Sequence, residues 1–260
     1  METPDTLIPA LSARAVGKRF VAHGGLVVRA LEDITLEVED NSFVCIVGPS
    51  GCGKSTLLRI LAGLERCDSG EALYRGAPQT RPRREIGVIF QEYSLFPWRT
   101  VGENVALAPE FAGRPAAECR SEARLYLKTV GLDAYEHAYP HELSGGMRQR
   151  VAIARALAGR PDVLLMDEPF GALDAYTRIR MQKRLLEIWE RHKTTVVFVT
   201  HSVDEAVFLA DRIVVMTSGP GRVMAELPVD LPRPRRRDDP RYAALTAGIL
   251  DMLEGETRDE

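Results

Sequence analysis

Five apolar residues, Phe43 to Val47 (FVCIV), run directly into Gly48-Pro49-Ser50-Gly51-Cys52-Gly53-Lys54-Ser55-Thr56 and then into an apolar stretch that ends at Leu64. A short run with no polar positions is the form a strand takes when both of its faces are covered. The glycines after it let the backbone turn tightly, and Thr56 to Leu64 then reads as an apolar helix. The nine central residues match the phosphate-loop pattern G-x-x-x-x-G-K-[ST], in which backbone N–H groups and a helix N-terminus converge on a polyphosphate. In that pattern Lys54 reaches the β and γ phosphates, the Ser55 hydroxyl is a magnesium ligand and Thr56 holds the α phosphate. A chance glycine turn, the alternative, would not need a strand before it and a helix after it.

The rest of the chain repeats this rhythm. Ile86 to Phe90, Val163 to Met166 and Val196 to Val199 are further short apolar runs, the last two preceded by helix-like stretches, as in an α/β sheet. Upstream, Leu26 to Val38 partly alternates apolar and polar residues, predicting an antiparallel β edge with one solvated face. Between Glu92 and Pro140, prolines 97, 109 and 115 interrupt the sequence and Ala116 to Val130 reads as an amphipathic helix, predicting a helical lobe inserted into the sheet domain at about 92–150. Ala175 to Lys193 predicts a second long helix. After the turn Gly219-Pro220-Gly221 come a strand (Arg222 to Leu227), the Pro- and Arg-rich LPRPRRR and a terminal helix from about Ala243, so that 228–260 forms a tail. No internal repeat is present, and residues 1–260 read as one domain with a lobe.

Composition narrows what such a domain does. With 45% hydrophobic and 27% charged residues among 260, the chain can bury a real core. A formal net charge of -3 gives no broad footprint for nucleic acid. The strand-sized runs fall short of the roughly 18 apolar residues that span a bilayer. Glu2, Asp5, Pro4 and Pro9 are unlike a secretory leader, which predicts that the protein stays in the cytosol. Cys45, Cys52, Cys67 and Cys119 have neither zinc nor disulfide spacing and read as free thiols; modification would matter only at Cys52.

Two further motifs carry chemistry. Val163-Leu164-Leu165-Met166-Asp167-Glu168 puts Asp167 at the carboxyl end of a buried strand, where α/β sheets bind ligands and a carboxylate can hold Mg²⁺, with Glu168 beside it as a general base for water. Without the phosphate loop, the same pair would read as an exposed Asp-Glu starting a loop. Leu143-Ser144-Gly145-Gly146-Met147-Arg148-Gln149-Arg150 runs into VAIARALA as a helix capped by Ser144, a second anion-binding helix start.

LSGGMRQR resembles the signature motif of the ABC ATPase family, and the phosphate loop and VLLMDEP resemble its Walker A and Walker B motifs. The resemblance runs from about Leu11 to Leu253. It implies an α/β P-loop NTPase core with a mixed or parallel sheet, an N-terminal antiparallel β subdomain and an inserted helical subdomain. ATP and Mg²⁺ are the implied ligands. By the same resemblance Gln91 is the Q-loop glutamine near magnesium or the attacking water. His201 is the switch histidine, which donates to the γ phosphate and aligns Glu168 and water; taken alone, it would read as structural. Asp174 is the D-loop aspartate at a subunit contact, and it can also cap the helix from Ala175. Phe20 stands where the family stacks an aromatic on adenine; a core aromatic is the alternative. Asn41-Ser42 replaces the family's Gly-Glu, a change that Asn tolerates because it adopts the left-handed conformation readily.

The resemblance also implies a homodimer in which Ser144, Gly145 and Gly146 of one chain complete the phosphate site of the other. Two integral membrane permease subunits, docked beside Gln91 to Val105 (QEYSLFPWRTVGENV), and an extracytoplasmic solute-binding protein would complete the transporter. The protein would then lie peripherally on the cytoplasmic face of the inner membrane. Phe96, Pro97 and Trp98 suit a docking groove, or else a lobe core. FPWRTVGENV, SGPGRV and LPVDLPRPR resemble the nitrate, sulfonate, taurine and bicarbonate importer branch, with another solute or a non-transport ABC ATPase as alternatives. Arg233, Arg235, Arg236 and Arg237 read as a solvated linker, or as contacts to lipid or a partner.

Overall fold

The computed structural model describes residues 8–21, 24–91, 93–192 and 194–256. Residues 1–7, which include Glu2, Pro4 and Asp5, lie outside them, as do Glu92, Lys193 and the last four residues of the tail. The chain divides into two compact units, one made of Met1–Arg83 with Thr195–Glu260 and the other of Arg84–Thr194.

The first unit holds two sheets. Strands β1 (Leu11–Val21) and β2 (Val27–Val38) pair antiparallel, followed by β4 (Ser69–Tyr74) and the short β5 (Ala77–Pro78), in the order β2-β1-β4-β5. Leu31, Ile34, Leu36 and Val38 of β2 are buried while Asp33, Thr35 and Glu37 are exposed, the alternation that sequence predicts for one solvated face. Leu26 stays outside the strand, and β4 and β5, whose SGEALY segment is too short and too polar to stand out, were not legible.

The second sheet of this unit has the order β10-β9-β3-β8, from β10 (Val223–Pro228), β9 (Arg212–Met216), β3 (Phe43–Val47) and β8 (Thr195–Thr200). β3 is parallel to β8 and β9, and β10 closes on β9 antiparallel, a mixed sheet. Every residue of β3 and β8 is buried, which is why both lack polar alternation. Asn41 has φ 60°, the left-handed turn expected before β3. α1 (Lys54–Leu61) follows β3, α6 (Val203–Leu209) joins β8 to β9, and α7 (Pro240–Glu256) ends the described chain. α7 begins at Pro240 rather than near Ala243: Pro suits a first helical position, and Asp239 accepts from the Arg241 and Ala243 amides.

The tail corrects one expectation. Arg235 is only 6% exposed and Arg233 and Arg237 are half-buried, all three hydrogen-bonded to α6 or its neighbours, so this run is neither a solvated linker nor a lipid contact. Only Arg236, paired with Asp238, lies out in solvent.

In the second unit β6 (Ile86–Ile89) pairs parallel with β7 (Val163–Asp167). The helices are α2 (Val101–Phe111), α3 (Ala116–Thr129), α4 (Gly145–Ala158) and α5 (Ala175–His192). Thr100 and Glu103 form a reciprocal capping box at the start of α2. Asn104, fully buried, accepts from the Phe96 amide (2.8 Å) and donates to the carbonyls of Phe96, Arg99 and Thr100 (2.9–3.1 Å), which fixes the loop before the helix. That loop does not form a lobe core: Trp98 is 71% exposed and touches Phe96 edge-on at 5.3 Å.

Candidate functional site

In the first unit, β3 delivers the chain into the loop Gly48–Gly53 and α1 receives it. Gly51 (φ 81°) and Gly53 (φ 99°) take conformations that cost side chains dearly, and a Cβ on Gly53 would stand 2.5 Å from the Ala30 carbonyl oxygen. Gly53 caps α1 without a side chain, and no acid occupies the first turn. The first amides and the helix dipole of α1 thus present partial positive charge to an anion. Lys54 is buried with its Nζ donating to the carbonyls of Gly48 (2.8 Å) and Pro49 (2.6 Å), an ammonium curled over the loop it serves. Ser55 and Thr56 are half-buried in the same turn. Cys52 is buried at 3.6 Å from Lys54 Nζ, which removes it as an accessible modification site.

Register brings His201 beside this loop. Val47 pairs with Thr200, so Gly48 and His201 leave adjacent parallel strands at the same level, where α/β sheets bind ligands. His201 is exposed. Phe20, near the end of β1, is 41% exposed with Lys18 Nζ 5.2 Å from its ring centre, so it is not a core aromatic. The Lys18 ammonium is raised by its hydrogen bond to Glu65, against the effect of burial.

The second unit builds a matching edge. Ile89 pairs with Met166, so the segments carrying Gln91 and Asp167-Glu168 leave neighbouring strands together. Asp167 is buried at the end of β7. Glu168 has φ 45°, a left-handed conformation that costs a non-glycine residue on the order of 1–3 kcal/mol and clusters at functional sites. Its carbonyl accepts from the Gly171 amide (3.1 Å) and Gln149 Nε2 (3.5 Å), which holds it there. Exposed Gln91 lines a cavity of about 470 Å³ with Tyr93, Leu95 and Arg148.

Ser144 caps α4, its Oγ accepting from the Met147 amide, and Gly145 and Gly146 form the first turn with no acid to neutralise it. A Cβ on Gly145 would meet Tyr93 Oη at 3.0 Å, and one on Gly146 would meet Leu173 at 3.1 Å. Asp174 is exposed and caps α5, with Oδ1 accepting from the Thr177 amide (2.9 Å), a bond that holds its carboxyl below the usual range. Phe20, Gly48–Thr56 and His201 thus fall on the first unit, and Gln91, Ser144–Gly146, Asp167, Glu168 and Asp174 on the second.

Three supporting features escaped the sequence reading. Arg155 donates to the carbonyls of Ser94 (2.6 Å) and Tyr93 (3.2 Å), fixing the segment after Gln91. Gly221, legible only as part of a turn, lies against the phosphate loop, where an added Cβ would be 2.0 Å from the Cys52 carbonyl oxygen. Thr200 Oγ1 donates to Glu205 Oε2 at 2.6 Å next to His201. No local spacing announces any of these, since each partner comes from another stretch of chain or follows a motif whose own pattern draws attention first.

Comparison with known proteins gives a consistent set of likenesses. Residues 31–171 match the family model described as ABC transporter. The chain is 52% identical to an uncharacterized ABC transporter ATP-binding protein of Methanocaldococcus jannaschii over 88% of this chain and 86% of that protein. It is 48% identical to the nitrate import ATP-binding protein NrtD of Synechococcus elongatus (92% and 89% covered). With the aliphatic sulfonates import ATP-binding protein SsuB of Bacillus cereus, identity is 45% (94% and 96% covered). Among solved structures, a dimeric bacterial ABC transporter cassette superposes with TM-score 0.78 at 34% identity, covering 84% of this chain and 98% of that one. A post-hydrolysis dimeric cassette bound to ADP and Pi gives TM-score 0.77 at the same identity.

Proposed function

The chain belongs to the ABC transporter family of ATP-binding proteins, and from that premise we propose that it is the ATPase subunit of an importer for a small anionic solute such as nitrate, a sulfonate, taurine or bicarbonate. Its reaction is ATP hydrolysis. Lys54 and the amides of the phosphate loop bind the β and γ phosphates, with Thr56 at the α phosphate and Phe20 stacked on the adenine. Glu168 takes the proton from the attacking water. His201 donates to the γ phosphate and keeps water in line.

Magnesium, when bound, neutralises charge on the β and γ phosphates. Ser55, Gln91 and Asp167 offer the hard oxygen donors that this ion takes, and one or two protein ligands suffice when phosphates and water supply the others. Among the described residues no group of three His, Cys, Asp or Glu could hold a metal ion.

The protein works as a homodimer in which Ser144, Gly145 and Gly146 of one protomer grip the γ phosphate held by the other, with Asp174 at the subunit contact. ATP joins the pair and hydrolysis releases it. The likeness to a dimeric cassette supports this arrangement. Among the described residues no helix is long and apolar enough to cross a membrane. In this reading two separate permease subunits form the channel, an extracytoplasmic binding protein delivers the solute, and this subunit sits on the cytoplasmic face.

The observation that carries the transporter reading is an apolar groove of about 600 Å³ in the second unit, lined by Phe96, Leu107, Phe111, Ala156 and Pro161 and rimmed by Arg84, Arg114 and Arg160. Phe111 is 83% exposed, and Trp98 stands on the Asn104-braced loop. An exposed aromatic patch of this kind is built to be covered, here by a short helix from each permease. Trp98→Ala in the reconstituted transporter is expected to leave ATPase activity of the isolated subunit in place while permease co-purification and coupled uptake fall. Unchanged uptake would refute the docking role. Uptake of nitrate, sulfonates including taurine, and bicarbonate by the intact transporter decides the solute, and accumulation of none of them would refute the importer branch.

A further inference from the structure

His201 stands on a two-residue link between β8 and α6, so its place depends on how α6 is held. The strand side is secure: β8 runs parallel to β3 with every residue buried. The helix side is not self-sufficient, because α6 has only seven residues and a helix of two turns has little stability of its own. What holds it comes from the far end of the chain.

At the C-terminal end of α6, the Arg235 guanidinium donates to the carbonyls of Val207 (2.8 Å) and Phe208 (3.2 Å), and Arg233 donates to the carbonyl of Leu209. These are the carbonyls a helix end leaves unpaired, and cations are favoured there by the helix dipole. Arg235 also donates to the carbonyls of Val229 (3.3 Å) and Leu231 (3.2 Å) of its own segment. All four of these partners are backbone carbonyls, so a buried charge is spent on joining the tail to the helix. Burial and the neighbouring Arg233 bring its guanidinium down to about 10, still protonated at neutral pH. Arg233 also pairs with Asp211, whose Oδ2 accepts from the Phe43 amide at 2.9 Å, tying the same clamp to the start of β3.

At the N-terminal end of α6, Arg237 forks onto Asp204 through Nε and Nη2 (2.9–3.1 Å), with its guanidinium 4.2 Å above the Phe208 ring. Buried Tyr242 donates to the Asp204 carboxylate (2.7 Å) or its carbonyl (2.8 Å). The turn that carries His201 is then closed on itself. Thr200 Oγ1 donates to Glu205 Oε2 (2.6 Å) and accepts from the Ser202 amide (3.0 Å), and Ser202 Oγ accepts from the Glu205 amide (3.3 Å). His201 sits at the apex of this ring of bonds.

We propose that the C-terminal tail is a positioning element for ATP hydrolysis: Arg235, Arg237 and Tyr242 clamp α6 at both ends, and through the Thr200–Glu205 latch this clamp sets the place of His201. The inference rests on the assignment of His201 to the γ phosphate, and the tail residues act through His201 rather than on the nucleotide. A shift of about 1 Å in such a group is enough to lower turnover by one to two orders of magnitude. Nucleotide affinity, carried by the phosphate loop, changes little.

The test uses the full-length subunit, with steady-state ATPase kinetics and the imidazole NMR resonance of His201, assigned by its loss in His201→Ala. Arg237→Gln is expected to lower kcat about tenfold with KM for ATP within about twofold, and to move or broaden the His201 resonance. Arg237→Lys, which keeps one charged donor, recovers part of both. Tyr242→Phe, a milder change should Arg237→Gln fail to fold, shifts both readouts in the same direction by less. Folded Arg237→Gln and Tyr242→Phe proteins with unchanged kcat and an unmoved His201 resonance would overturn the proposal, as would a rise in KM alone. If His201→Ala itself turns over normally, it is the catalytic role of His201 that fails; if His201→Ala is inactive while the tail variants behave as wild type, the positioning inference fails alone.

Discussion

Replacing Gly221 by alanine places a methyl group where the structure has none to spare. The added Cβ would stand 2.0 Å from the Cys52 carbonyl oxygen and 2.8 Å from Met216 Cε. The methionine end can move, but the carbonyl is backbone of the phosphate loop. Gly221 cannot retreat freely either, because its amide donates to the Ala30 carbonyl (3.1 Å) and its own carbonyl accepts from the Glu32 amide (3.0 Å). Overpacking of this kind costs about 1–3 kcal/mol, and the loop should shift to relieve it. Gly248→Ala is the matched control: it lies within α7 with nothing within 4 Å of the new Cβ, so it should stabilise by about 0.5–1 kcal/mol through the entropy that glycine loses in a helix. Urea unfolding followed by circular dichroism measures both. Repeating it with a non-hydrolysable ATP analogue at 100 times the wild-type Kd separates loop damage from general destabilisation. The wild type gains about 2.7 kcal/mol there, and a variant binding tenfold more weakly gains only about 1.4 kcal/mol. Wild-type stability and a full nucleotide gain in Gly221→Ala would refute the reasoning, as would destabilisation of equal size in Gly248→Ala.

Glu168→Gln should retain ATP binding, lose most hydrolysis and accumulate an ATP-bound dimer visible by size-exclusion chromatography; full turnover would remove Glu168 from the role of base. Phe20→Ala should weaken ATP binding by roughly twofold to tenfold, the value of an aromatic stacking contact, and leave the binding of inorganic triphosphate, which lacks the adenine, nearly unchanged, as read by calorimetry. Asp204 gives a pH signature. Burial would raise its carboxyl, but the hydrogen bonds from Arg237 and Tyr242 hold it below the ordinary aspartate value. The stability it contributes is therefore present above the unfolded value near 3.9 and is lost as pH falls through the lower folded value. The stability gap between wild type and Asp204→Asn, measured by thermal unfolding, should be full at about pH 6 and close below about pH 4; a gap that persists into stronger acid would contradict this.

The local frame of the proposed nucleotide site was legible because it is written in short stretches of sequence. A phosphate loop needs its glycines, lysine and hydroxyl within nine residues, and the buried strand before it needs to be apolar at every position, so the strand–loop–helix order of Phe43 to Leu61 is legible without any knowledge of the partners, although the helix starts at Lys54 rather than Thr56 and stops at Leu61 rather than Leu64. Ser144 as a cap of α4, Asp174 as a cap of α5 and Asn41 in a left-handed turn are likewise short-range effects. Even Asp167 and Glu168 announce themselves by where a strand stops.

Other properties were decided by chain segments far apart in sequence. Whether Phe20 and Trp98 face solvent or core is a matter of packing, and an isolated aromatic looks the same in either case. Nor does Glu168 carry a local sign of its left-handed backbone, which bonds from Gly171 and Gln149 hold in place. The LPRPRRR run shows the limit most directly. By composition it is a charged, proline-rich linker, yet its arginines meet carbonyls and carboxylates 22 to 33 residues upstream because β10 returns the chain alongside β9 and brings the tail onto α6. Local pattern dictates which backbone groups and side chains can bind a nucleotide, since that chemistry needs only neighbours. The geometry that holds His201, Gly221 and the arginines where they are comes from the tertiary fold, since a buried charge or a missing methyl group has meaning only against the atoms packed around it.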